Sequence, residues 1–252
     1  MTTIQEAGRR SRWPKILLIA AVVVLAIPIL SPILFRTLLF QSFNIPARSM
    51  APTLLEGDYL FVSKYAYGYT HYSLPLSPRL FSGRIFGSAP ARGDVVVFRA
   101  PKNDMVDYIK RVIGLPGDRI QMKEGLLHIN GTSVVRERLA DFADGDACGE
   151  VADKKVKRWR ETLPNGVSHE TLDCVDNGFY DNTNVYTVPA NHFFVLGDNR
   201  DNSTDSRVLS SIGYIPFENL IGRAGMIFYS RSAGSATSAP GMRTERMGTL
   251  VR

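Results

Sequence analysis

"DYIKRVIGLPGDRIQMKEGLLHINGTSVVRERL", Asp107–Leu139, is the stretch on which the fold turns. Short runs of Val, Ile, Leu and Met alternate with Leu-Pro-Gly-Asp and Asn-Gly breaks, a strand-and-turn pattern with no 3.6-residue apolar repeat. Asn130-Gly131 falls between "LLHI" and "TSVV". A type I′ hairpin turn needs φ > 0 at both central residues, which Asn-Gly supplies, so this dipeptide predicts a hairpin. Working outward, "GDYLFVSKYAYG" (57–68), "RGDVVVFRAP" (92–101) and "NHFFVLGDN" (191–199) repeat the pattern. Gly-Asp opens a run three times, at Gly57-Asp58, Gly93-Asp94 and Gly117-Asp118. The expected fold class is mainly β, with antiparallel sheets.

Two segments interrupt the strands. Tyr67–Pro90 is aromatic and rich in Pro and Gly and reads as a loop excursion. Residues 141–184 are polar, hold both cysteines and read as an inserted subdomain with its own hairpin, and a short helical run is expected near Lys154–Glu161. The Ser-, Ala- and Gly-rich end, residues 235–252, is expected to be disordered.

The net charge of +6 is concentrated at the ends. Residues 1–15 carry +3 (Arg9, Arg10, Arg12 and Lys15 against Glu6) and residues 235–252 carry +2 (Arg243, Arg246 and Arg252 against Glu245). The body is left with +1, so it has no basic patch for nucleic acid. After the basic start come twenty uncharged residues, Ile16–Phe35. As a helix they would span roughly 30 Å, the thickness of a bilayer core. A cleaved signal peptide is the competing reading, but the run is long for one and no small-x-small site follows before Arg36. Residues 16–36 are therefore expected to form a single-pass anchor, with residues 1–15 cytoplasmic and residues 37–234 outside the cytoplasm. In that oxidising compartment Cys148 and Cys174 are expected to pair, the alternative being two buried thiols.

The chain lacks a G-x-S-x-G elbow, a P-loop, a dinucleotide fingerprint and an H-E-x-x-H pair. The acidic "GDNRDNSTDSR", 197–207, fails as a calcium loop because Arg200 occupies a ligand position and the glycine is missing. No metal and no cofactor is expected. Ser49, in "FNIPARSMAPTLLEGDYLFV" (43–62), lies between Pro46 and Pro52 on a stiff, non-helical strip, as a held nucleophile could. His128 lies two residues before the predicted turn, His71 and His169 read as loop residues and His192 starts a strand. Each reads as an ordinary surface or packing histidine rather than a partner for Ser49. A lysine can serve as base only if burial depresses its pKa, and Lys110, between Ile109 and Arg111 on an apolar strand, suits that best. Side chains alternate along a strand, so either Lys110 or Arg111 must point inward or into a cleft. An edge lysine that discourages aggregation is the plainer alternative.

"IPARSMAPTL", "YIKRVIGLPGD" and "VLGDNRDNSTDSR", in that order behind an anchor, together resemble type I signal peptidase, a membrane-bound serine protease with a Ser/Lys dyad. The likeness extends to "LLEGDYLFVSKYAYG", "RGDVVVF" and "GYIPFENLIGRA" and covers most of 40–229. It implies a signal-peptidase-type catalytic domain with Ser49 as nucleophile and Lys110 as general base. It further implies Ser203 as the hydroxyl that orients the lysine, with Asp198, Asp205, Arg207 and Arg111 as supporting charges. Asn44, Ile45, Pro46 and Met50 would meet the substrate, a preprotein with a small-x-small cleavage site. The implied enzyme is monomeric, sits in the inner membrane in contact with lipid and has a periplasmic active domain. Phe81, Phe86 and Tyr65–Tyr72 are candidates for either interface contact or loop packing. One departure stands out: the family's usual oxyanion serine is Ala47 here, and Arg48 replaces a glycine. A non-cleaving peptide binder and a self-cleaving Ser/Lys regulator are the competing functions. The regulator is cytoplasmic and carries a DNA-binding region, which the anchor and the charge distribution oppose.

Overall fold

A computed structural model describes residues 13–74, 76–143, 145–148, 156–232, 234 and 240–252. The expected cytoplasmic segment, residues 1–15, lies almost wholly outside the described residues. One helix, α1 (Trp13–Leu38), opens the described chain, and its Lys15–Arg36 portion is long and apolar enough to cross a membrane. Pro28 and Pro32 lie inside it.

The strands follow as β1 (Phe40–Asn44), β2 (Asp58–Ser63), β3 (Val95–Ala100), β4 (Asn103–Gly114), β5 (Arg119–Lys123), β6 (Leu126–Ile129), β7 (Thr132–Ser133) and β8 (Val135–Arg138). After them come β9 (Lys157–Thr162), β10 (Ser168–Asp173), β11 (Tyr186–Thr187), β12 (His192–Leu196), β13 (Ile215–Pro216), β14 (Leu220–Ser232) and β15 (Gly241–Met242). The main sheet runs β1-β2-β14-β3-β4-β12-β13, with β15 on β14. Smaller sheets are β11-β5-β6-β7 and β10-β9-β8, and every strand pairing is antiparallel. The chain is mainly β with one N-terminal helix, as its strand-and-turn pattern predicts.

The unbroken "VVVF" of β3 is buried on both faces. Val95 and Val97 join one core with Met50, Leu54, Leu60 and Ile227, while Val96 and Phe98 join another with Val112, Val195 and Ile215. The three Gly-Asp pairs build one device three times. Each glycine has φ near +90° (86°, 97° and 89°), each aspartate N–H donates three residues back, and each carboxylate accepts from that same residue's N–H. Only glycine adopts that third turn position without strain, and aspartate caps the open amide. At Asn130-Gly131 both residues have φ > 0 (54° and 85°) and join β6 to β7.

Two expectations are corrected. No helix forms around Lys154–Glu161: over the described part Lys157–Thr162 is strand β9, stabilised by pairing on both sides with β8 and β10. The hairpin expected within the insertion is β9–β10, and β8, which precedes residue 141, adds a third strand to it. The tail expected to be disordered over 235–252 is folded from Pro240 onward. There β15 pairs with β14, and Arg246 reaches back to the buried Asp58 carboxylate at 2.5 Å. A low-complexity composition could not reveal that buried anion.

Candidate active site

Ser49 sits in the irregular strip between β1 and β2, and Lys110 is near the middle of β4. Lys110 Nζ lies 2.7 Å from Ser49 Oγ and donates to the carbonyl of Ile109 at 2.9 Å. The lysine is 2% exposed. Burial pushes its pKa down to about 8, a shift that Asp205 and Asp198 only partly oppose from a distance. Among the described residues no carboxylate reaches ion-pair distance of Nζ. A deprotonated amine can accept the serine proton, so this pair has the geometry and the titration of a nucleophile with its base.

Both adjacent basic residues are buried, where alternation required only one. Arg111 is 0% exposed and clamps Asp198 with two hydrogen bonds, Nε to Oδ1 at 2.8 Å and an Nη to Oδ2 at 2.7 Å. It also donates to Gly93 O. Thr53, three residues beyond Met50 on the serine strip, donates its hydroxyl to Asp198 at 2.5 Å. Asp205 accepts two bonds from the Arg207 guanidinium, at 2.9 and 2.8 Å, and one each from the Arg207 and Gly197 backbone amides. Their guanidinium partners hold both aspartates below the usual carboxylate range despite burial.

Ser203 behaves differently from expectation. Its Oγ is buried but makes no hydrogen bond of ordinary geometry, although it is close enough to Asp205 to favour that charge. The lysine is oriented instead by the carbonyl of Ile109. Ser203 presses against Gly197, where an added Cβ would lie 2.2 Å from Ser203 Oγ and 2.5 Å from Ser49 O. Of the expected substrate-contacting residues, Asn44 and Pro46 are exposed, but the Ile45 and Met50 side chains are packed in the core. Neither side chain is open to a substrate in this structure. Ala47 is exposed, and the Ser49 N–H donates to no acceptor among the described residues.

Thr53, Glu161 and Asn199 were not singled out from the sequence, and His169, expected in a loop, is buried in strand β10. Arg200 clamps Glu161 at 2.9 and 2.6 Å, and His169 Nε2 lies 3.8 Å from Glu161 and 3.9 Å from Asp198. Burial, then Arg111, lowers the His169 pKa to about 4, so it is neutral, and it has no hydrogen-bond partner among the described residues. The density of polar residues in 197–207 was the available signal. Its side chains serve guanidinium groups and backbone amides: Asp201, for example, caps the N–H groups of Cys174 and Val175 at 2.7 and 3.0 Å. Cys148 and Cys174 form a disulfide at the edge of this region.

Comparison with known proteins points to one family. The profile described as "Signal peptidase, peptidase S26" matches residues 11–229. The chain is 42% identical over 206 residues to the signal peptidase I of Rickettsia typhi, a match covering 79% of this chain and 75% of that one. It is 43% identical to the Rickettsia conorii signal peptidase I, covering 79% and 74%. A crystal structure of a signal peptidase I from Enterococcus faecalis is 26% identical, covers 54% of this chain and 97% of that chain, and superposes with a TM-score of 0.32. With the profile spanning most of its length, the chain belongs to the peptidase S26 family of signal peptidases, which are serine peptidases.

Proposed function

We propose that the chain is a membrane-anchored endopeptidase that removes signal peptides from exported preproteins through an acyl-enzyme on Ser49, with Lys110 as general base. The observation that carries this reading is the 2.7 Å approach of Lys110 Nζ to Ser49 Oγ in a site that depresses the lysine's pKa. Neutral Lys110 takes the Ser49 proton as Oγ attacks the scissile carbonyl, and the proton then passes to the departing amine of the mature protein. A water deprotonated by the same lysine attacks the acyl-enzyme and frees the signal peptide. The free Ser49 N–H supplies one donor to the oxyanion. Ala47 supplies no side-chain donor. Asp198 and Arg111 tie the serine strip to the lysine strand through Thr53. Asp205 and Arg207 brace the 197–207 loop beside them, with Ser203 packed against its Gly197.

Ser49 follows the end of α1 at Leu38 by eleven residues, which at ~3.5 Å each keeps the nucleophile close to the membrane surface. A cleavage site trailing a membrane-held signal helix lies at the same depth. The exposed Leu76, Leu80 and Phe86 of the 67–90 excursion suit contact with that surface. The proposed topology is a cytoplasmic N-terminus, a span over 16–36 and an extracytoplasmic catalytic domain over 37–234 in the inner membrane. Substrates would be cut after a small-x-small sequence. The test is cleavage of a purified preprotein by the detergent-solubilised chain beside Ser49→Ala and Lys110→Met. Product at the small-x-small site from the parent alone supports the dyad, and turnover by either variant rejects it.

A further inference from the structure

We propose that Asn199 is a positioning residue that sets the spacing of the Ser49–Lys110 pair, an inference that rests on the catalytic reading above. The nucleophile strip is irregular, so no strand ladder fixes Ser49. Asn199 supplies that restraint from the neighbouring loop. Its backbone N–H donates to Ser49 O at 3.1 Å, and its side-chain Nδ2 donates to Arg48 O at 3.2 Å and to Ala147 O at 2.6 Å. The residue is fully buried, and both protons of the amide are used.

The restraint is itself fixed from two sides. On either side of Asn199, Leu172 N–H donates to Asp198 O at 2.9 Å and Arg200 N–H donates to Leu172 O at 3.0 Å, a short parallel bridge to β10. The third partner, Ala147, packs with Leu172 and Ala51 in a small apolar cluster and precedes the cysteine that is bonded to Cys174, just beyond β10. Adjacent Asp198 is clamped to Arg111, the residue after Lys110, and to Thr53. Two consecutive residues thus grip the two halves of the dyad, Asp198 on the lysine strand and Asn199 on the serine strip. The close seat of Gly197 against Ser49 O leaves little slack between them. The insertion is in this way a buttress for the nucleophile.

The test is steady-state cleavage of a peptide substrate by the full chain in detergent and by Asn199→Leu and Asn199→Ala, with the folded fraction read from thermal melts. Asn199→Leu keeps much of the volume and the backbone donor to Ser49 O, and loses both side-chain donors. We expect kcat to fall between about 10- and 100-fold, because small misplacements of a nucleophile carry costs of that order, with KM within about twofold. A folded variant with kcat within about twofold of the parent overturns the proposal, as does a loss of rate that merely follows the folded fraction. Amide exchange at Ala51 and Leu54, whose N–H groups bond within the strip, reads the restraint independently of turnover. If the parent fails to cleave, the catalytic reading fails. Faster exchange in Asn199→Leu then still supports the restraint, and unchanged exchange overturns it.

Discussion

Lys64 and Lys110 are both buried, and burial takes the pKa of each down to about 8. Lys64 Nζ donates to the carbonyl of Ser73 at 2.6 Å and has the Arg36 charge working on it as well. Lys110 Nζ meets a serine hydroxyl on a strip held from outside. A depressed pKa is therefore not a signature of function by itself. What separates the two regions is the partner: a carbonyl has no proton to give, whereas a hydroxyl does.

The sharpest way to break this comparison is to remove each lysine in turn. Lys110→Met should abolish preprotein cleavage by about 10³-fold or more, on the order of a lost general base, while Lys64→Met keeps kcat within about twofold. A large loss in Lys64→Met would assign that lysine a role its partners do not explain. In the parent, kcat/KM should rise with pH to a midpoint near 8, because only neutral Lys110 accepts a proton. A rate that falls as pH climbs from about 6 to about 8 contradicts the base assignment.

Next in size is the neighbouring ionic cluster, where the cations do have carboxylates. Arg111→Leu would strand the buried Asp198 charge and should cost about 3–5 kcal/mol in a denaturant titration. A cost under about 1 kcal/mol would mean that the pair is not buried in solution. Reduction of Cys148–Cys174, which closes 26 residues of separation, should lower stability by roughly 3 kcal/mol. Equal urea midpoints for oxidised and reduced protein would contradict this.

The smallest effect is confined to acid. His169 faces Glu161 and Asp198 with Arg111 and Arg200 nearby, and its folded pKa of about 4 lies below the ordinary 6.5. Between those values the unfolded chain binds a proton that the native chain does not, so stability falls as pH drops from 6.5 toward 4. The loss is bounded at roughly 3 kcal/mol. His169→Phe should flatten the change in urea midpoint between about pH 7 and about pH 4.5, and an unchanged slope would assign it to other groups.

Much of this was legible in the chain. The three Gly-Asp turns and the Asn130-Gly131 hairpin follow from local backbone requirements, which neighbours in sequence dictate. The helical run of α1 follows from twenty uncharged residues, whereas Ser49 and Lys110 were candidates on their settings and became a pair only through the resemblance of three motifs to type I signal peptidase. The ordering of residues 240–252 was not legible, since it depends on Asp58 lying buried where Arg246 can reach it. Nor were the packing of Ile45 and Met50 into the core, the absence of a Ser203 bond to the lysine, or the union of Glu161, His169 and Arg200. By itself the sequence determined most of the strands, their turns, the membrane-length helix and the residue types able to do proton chemistry, while β9 needed its partners β8 and β10. Only the tertiary structure decided which buried lysine meets a hydroxyl, because desolvation and contact depend on chain segments 61 residues apart in sequence.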